Sequence, residues 1–307
     1  MNGSRNLQFS IFLYFLIPLC LFTSFATHAQ KPPAPSVQPL DIVREFFSAN
    51  GIKHKEKYLC CDAKEHEDKI PYGKNIADNI RREANLLYAD NKTAVINVML
   101  IDTTTKSNPL ELYVFLRKEN DNTIKVIRDA KTDATGDWKI EAIRTLPLSR
   151  QLNRNLDELR QASKDDISRC FDSQQDYEFE LANTTLAASP DKDIVQFLNT
   201  NIKKFDTLLT KTKEALYSVN ETNIKRVKWN APINKLLKEL LLRNIVIGSD
   251  DCPDCIYFIL DGIIATSVGF MYVQSGIKPL KPDPDKYISL RETGRGWYVY
   301  KMMGKGK

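Results

Sequence analysis

Hydrophobic and polar positions change period three times along this chain. In "DIVREFFSANG", residues 41–51, Ile42, Val43, Phe46 and Phe47 fall on one stripe at helical spacing, with Asp41 as N-cap and Gly51 as stop. A charged loop follows, and the pattern predicts a second helix around Asn75 to Tyr88. Strand-like runs come next, at 93–102, 110–118, 123–129 and 137–146. In the last of them Trp138, Ile140 and Ala142 alternate with Lys139 and Glu141, which predicts one packed face and one wet face.

Helical spacing then returns. Residues 149–170 are polar with a thin seam of Leu152, Leu156 and Leu159, and predict a connecting helix. "FDSQQDYEFELANTTLAASPD", 171–191, reads as a loop. A long helix is expected from about Asp193 to Ser218 on the stripe Ile194, Phe197, Leu198, Ile202, Phe205, Leu208 and Leu209, and Pro232 opens another that buries Ile233, Leu236, Leu237, Leu240 and Leu241. The second change to strand period brings "IYFIL", an Asp261-Gly262 turn, "IIATSVGFMYVQ", a proline-rich loop at 278–285, "YISLRE", a turn at Gly294 to Gly296, and "WYVYKMM".

The fold class this predicts is α+β, with helices packed on an antiparallel sheet in each of two domains. An N-terminal domain is expected at 41–148, a connecting helix and loop at 149–192, and a C-terminal domain at 193–303. Tyr113 precedes Trp138 by 25 residues and Tyr272 precedes Trp297 by the same 25, so an internal duplication is also expected.

The N-terminus changes where such a protein would act. Arg5 stands ahead of an apolar run from Ile11 to Phe22, and Thr27 and Ala29 sit like the small residues before a signal-peptidase cut, so 1–29 read as a cleaved signal peptide. Retention as a membrane anchor is the alternative; cleavage leaves no stable membrane insertion. "QKPPAPSVQPL", 30–40, reads as a proline-rich linker. The expected location is periplasmic or extracellular. Net charge falls from +5 to +4 when Arg5 leaves with the leader, and no basic cluster with interleaved aromatics marks a nucleic-acid face.

Helices that precede a curved antiparallel sheet finished by Gly136-Asp137-Trp138-Lys139-Ile140 resemble the nuclear transport factor 2-like superfamily, whose members often end in a G-x-W-x-[IV] strand. The resemblance covers about 39–146, and more loosely 190–303 on "GRGWYVYK". It implies a cone-shaped cavity between helix and sheet, in a superfamily that hosts enzymes, binding proteins and structural modules alike. The Asp and His residues of its catalytic members have no counterpart here, since neither His54 nor His66 lies on an expected strand.

Candidate chemistry is sparse. No G-x-S-x-G, H-E-x-x-H, phosphate loop or dinucleotide fingerprint occurs, so no catalytic residue, metal site or cofactor is assigned. Beyond the leader the cysteines are Cys60, Cys61, Cys170, Cys252 and Cys255. Cys252 with Cys255 is the simplest disulfide, a local staple; a redox C-x-x-C opens a helix, whereas this one runs into a strand beside Asp250, Asp251 and Asp254. Cys60 or Cys61 with Cys170 would tie the first domain to the connecting helix. The loop holding His54, Cys60, Cys61 and His66 is the best place for a dyad or a soft metal. Tyr257, Phe270, Tyr272, Trp297, Tyr298 and Tyr300 lie on the C-terminal sheet and are candidates for a ligand or partner face. Asn91, Asn183 and Asn220 stand in Asn-x-Thr triplets, which matter where the secretory pathway glycosylates. The favoured function is non-catalytic binding of a small ligand or a partner protein. The alternatives are an enzyme using a polar cavity, or a thiol redox or metal-binding protein.

Overall fold

The computed structural model describes residues 37–105, 109–119, 137–219, 224–249, 252–263, 266–277 and 280–304. The leader, most of the linker, the strand expected at 123–129 and the Asn220 triplet lie outside the described residues. Helix α1 spans Pro39–Phe47, with Pro39 at its first position, where a missing N–H costs nothing, and Asp41 in the first turn rather than at the cap. Ile42, Val43, Phe46 and Phe47 form its buried stripe. Burial of each Phe is worth about 2–3 kcal/mol. The Ser48 hydroxyl donates to the Glu45 carbonyl at 2.8 Å, and Gly51 ends the turn at φ +65°.

Two short segments, the 3-10 turn Lys55–Tyr58 and helix α2 Cys61–Glu65, lead past a further 3-10 turn at Gly73–Asn75 into the first sheet. It is a meander of β1 Ile80–Ala89, β2 Thr93–Asp102, β3 Leu110–Lys118 and β4 Trp138–Arg144, in the order β1-β2-β3-β4. The helix expected at 75–88 is therefore a strand. Ile80, Arg82, Ala84 and Leu86 lie on one face of it, and an irregularity after Leu86 shifts the register with β2. Another irregularity in β4 corrects the alternation expected there: pairing moves from Leu116 with Ile140 to Phe115 with Ala142, so Glu141 is extra. Ile140 packs under α1, whereas Ala142 faces the other way.

The middle of the chain is helical: α3 Ser149–Gln161, α4 Lys164–Cys170, α5 Gln174–Ala187, α6 Asp191–Thr200 and α7 Ile202–Glu214. The connecting helix breaks at Ser163, which caps α4 in a reciprocal capping box with Asp166. The loop expected at 171–191 is mostly α5, capped by Ser173. Its buried Asn183 gives both side-chain N–H groups to the main chain, to Leu241 O at 2.7 Å and Leu260 O at 2.9 Å. The long helix expected from 193 breaks at Asn201 and ends at Glu214.

A two-stranded ribbon, β5 Leu216–Val219 with β6 Ile224–Val227, precedes α8 Ala231–Glu239. The second sheet follows, from β7 Asn244–Ile247, β8 Ile256–Ile263, β9 Thr266–Tyr272, β10 Tyr287–Gly294 and β11 Trp297–Met302. Its order is β10-β11-β9-β8-β7, with β11 internal, so it is not a meander. Asp261 and Gly262 are not the turn. They pair with Val268 and Ser267 inside the β8–β9 ladder, and Gly262 holds φ +95° where a side chain would meet the Thr266 carbonyl. The shared 25-residue spacing corresponds to different pairings: Trp297 faces Tyr272, but Trp138 faces Lys118 and Tyr113 faces Arg144. The duplication expected from that spacing thus has no counterpart in strand register.

The described residues from 37 to 304 form one compact unit. One face of the first sheet closes on α1. The opposite face, with Val95, Tyr113, Phe115 and Ala142, shares a single apolar core with the helices and with Phe258, Phe270, Trp297 and Val299 of the second sheet. No helix among the described residues is long and apolar enough to cross a membrane.

Candidate functional site

Among the described residues strand β1 pairs only with β2, so its outer side is a sheet edge there. Along it runs a cleft of about 660 Å³, lined by Arg44, Phe47 and Ser48 at the end of α1, by Val98, and by every residue from Ile80 to Asn85. Successive strand side chains point to opposite faces. A cleft touching six in a row therefore straddles the strand's outer edge and meets its backbone. The Thr103 N–H donates to the Asn79 carbonyl, and the register is constant from Ile80 to Leu86, so Arg81, Glu83 and Asn85 bond to β2. The N–H and C=O groups of Arg82, Ala84 and Leu86 face outward into the cleft's side of the strand. The Ile80 N–H is already used by the Ala77 carbonyl.

Local structure holds this edge open. Gly73 brings the 73–75 turn against the end of α1; a Cβ there would sit 1.8 Å from the Ser48 carbonyl oxygen. The same turn supplies acceptors for Arg82, whose guanidinium donates to Ile76 O at 2.9 Å and Gly73 O at 3.5 Å. Its buried Nε has no acceptor among the described residues. Arg81 pairs with Glu83 at 3.0 Å, and among the described residues no carboxylate pairs with Arg44 or Arg82 of the lining. The cleft is cationic, with apolar walls from Phe47, Ile80, Ala84 and Val98. Under α1 itself the helix–sheet space is filled by Phe46, Phe47, Val43 and Ile42, so the opening lies at the rim rather than inside a cone.

The aromatic positions expected to form an open face are buried. Phe270 and Trp297 pack edge-on against Phe205 in the shared core, and the Trp297 indole N–H donates to Asp206 at 3.0 Å. Tyr257, Tyr298 and Tyr300 lie on the other side of the sheet in a cluster with Cys252, Cys255, Tyr287 and Met302, joined by a Tyr257–Tyr287 hydroxyl contact of 2.7 Å. Tyr272 alone of the six is half-buried: its ring lies under the Lys213 ammonium, 4.5 Å away, and lines a small cavity of about 180 Å³ with Gln274 and Asp254.

The cysteines divide clearly. Cys252 and Cys255 are joined by a disulfide with Cα atoms 5.3 Å apart, closing the turn between β7 and β8. Cys60, Cys61 and Cys170 are free thiols, so the bridge expected from Cys60 or Cys61 to Cys170 is not formed. His54 and His66 are exposed, near Glu56 and Asp62 respectively. Of the glycosylation triplets, Asn183 is buried at the centre of its hydrogen bonds and offers no acceptor in the folded chain.

One cluster had no signal in the sequence. Glu111 and Tyr113 on β3, Asp191 at the start of α6, Ser289 on β10 and Lys301 on β11 converge between the sheets. Lys301 Nζ meets Asp191 Oδ1 at 2.9 Å and also bonds Glu111. The Tyr113 hydroxyl lies 3.0 Å from both carboxylates, and Ser289 donates to Asp191. Burial alone would raise the Asp191 carboxyl, but Lys301 and the Ser289 and Tyr113 hydroxyls hold it below the usual carboxylate range. Burial would likewise lower Lys301, and the two carboxylates outweigh it. These groups line neither cavity described above, so the arrangement is a buried clamp. Residues 78 to 190 positions apart meet there, and no short motif records such a meeting.

Comparison with protein-family models, with curated proteins and with solved structures gave no match.

Proposed function

We propose that this chain is an exported, non-catalytic protein that captures an extended acidic peptide segment of a partner by adding it as a strand to β1. The observation that carries this reading is the cleft straddling Ile80 to Asn85, with outward backbone groups at Arg82, Ala84 and Leu86. Strand addition takes its affinity from main-chain hydrogen bonds and its specificity from pockets for alternate side chains. Phe47, Ala84 and Val98 supply an apolar wall, and Arg44 and Arg82 favour a carboxylate-rich occupant. The apolar run behind Arg5 and the Cys252–Cys255 disulfide suit an oxidising compartment outside the cytoplasm.

The test is a fluorescence-anisotropy titration of the full chain with a labelled peptide of about ten residues alternating aspartate and valine, a length that spans one strand. Binding is expected to weaken with added salt and to fall about tenfold or more in Ala84→Pro, which deletes an outward amide and spares the ladder to β2. Circular dichroism controls for folding of the variant. Equal binding by Ala84→Pro, or by a lysine–valine peptide, contradicts the reading. Competition by a small dicarboxylate alone points to a small ligand instead.

A further inference from the structure

Neighbouring side chains on an extended strand point apart, yet the sulfurs of Cys60 and Cys61 lie only 3.2 Å from one another. The backbone explains this. Cys60 is extended, with its N–H on the Ile140 carbonyl at 3.0 Å, and Cys61 turns into the left-handed region at φ 53°, which folds the two side chains together. The isolated bridge of Leu59 with Ile140 fixes the segment to the edge of β4. Arg117 on β3 reaches across that edge and donates to Cys61 Sγ at 2.9 Å, while Glu141 steadies the same guanidinium at 3.5 Å. Cys61 is exposed and Cys60 half-buried. Two adjacent thiols with one cation on the outer sulfur are more than a pair of spare cysteines.

We propose that Cys60 and Cys61 form a redox-active vicinal dithiol that exchanges with small disulfides. The Cys61 thiolate attacks one sulfur of the disulfide, forming a mixed disulfide and expelling one small thiolate. Arg117 sets a fixed positive charge against the sulfur that carries the negative charge in that step. Cys60 gives its proton to water, and its thiolate attacks the Cys61 sulfur, expelling the second small thiolate and closing a Cys60–Cys61 disulfide. The chain loses two protons and two electrons, and the small disulfide takes them up to become two thiols. Burial and the neighbouring Cys61 push the Cys60 thiol up to about 12, which assigns Cys60 the second, slower role. Consecutive Cα atoms are about 3.8 Å apart, below the usual disulfide range of about 4.4–6.8 Å, so the ring is strained and easily reopened by a reductant.

The experiment treats the reduced full chain with oxidised glutathione, blocks remaining thiols with N-ethylmaleimide, and maps the digest by mass spectrometry. The peptide holding both cysteines is expected to be two hydrogens lighter and unblocked, two equivalents of glutathione are released, and dithiothreitol reverses the change. Cys60→Ser stops at a glutathionyl group on Cys61. Arg117→Gln, which removes the cation beside the attacking sulfur, slows capture at Cys61 about tenfold and leaves the exposed Cys170 at its original rate. A stable adduct on wild-type Cys61 without ring closure overturns the proposal, as does a Cys61 that reacts no faster than Cys170.

Discussion

Lys301 is 3% exposed and faces two carboxylates, an arrangement that is costly to build and more costly to break. Its sign with pH follows from the directions of the shifts. Asp191 is held below its ordinary value, so its contribution is present above the unfolded Asp pKa of about 3.9 and is lost as pH falls through the lower folded value. Lys301 is held above its ordinary value, so its contribution is complete below about pH 10.4 and is lost as pH rises through the higher folded value. Lys301→Met removes the cation and leaves Glu111 and Asp191 together in the interior. Urea unfolding at pH 7 is expected to show a loss of about 3–5 kcal/mol. Acidification from pH 7 to 5 then stabilises the variant, because its native state takes up a proton that the unfolded state releases, whereas the wild type gains nothing over that range. Parallel curves for the two proteins would show that charge in this cluster does not matter to stability.

Among the elements, the β7–β8 hairpin carries the disulfide. Cys252 and Cys255 enclose a short turn, and the chain-entropy relation assigns such a loop only about 2 kcal/mol. Calorimetry of Cys252→Ala/Cys255→Ala is expected to show a loss of that order with the fold retained; unfolding at room temperature would contradict the staple role. This hairpin closure was legible in the sequence, because C-x-x-C running into "IYFIL" leaves little but a local bridge. So were α1, from its helical stripe, and β2 and β3, from apolar runs of nine or ten residues that are buried on both faces. The stretch at 75–88 misled because Ile80, Arg82, Ala84 and Leu86 satisfy alternation, while Ile76, Ile80, Ala84 and Leu87 also satisfy a helical repeat. Pairing with β2 decided between them. Helix α5 was hidden by its polar content, since it is held by a Ser173 cap and a buried Asn183 rather than by an apolar stripe. The register shift at Glu141 left no trace in the alternation of β4.

Over the whole molecule, the edges of the first sheet differ in how they are treated. The β4 edge is capped by Leu59 and Cys60, and the far end of β1 is pinned where Lys281 bonds Asp90 at 2.6 Å. Arg144 ties β4 to the Pro284 carbonyl at 3.0 Å and to Asp62, which fastens the same sheet to both halves of the chain. The stretch Ile80 to Asn85 has no such cover among the described residues and carries the cationic cleft. Unprotected edges invite another strand, and the proposed peptide would pair with this one. The candidate site was illegible in the sequence for this reason: an edge is defined by the strand that is missing from it. Amide hydrogen exchange with and without the aspartate–valine peptide tests the claim most directly. The account predicts slowed exchange at Arg82, Ala84 and Leu86 with Arg81, Glu83 and Asn85 unchanged; protection confined to the Tyr272 cavity, or none on β1, would contradict it.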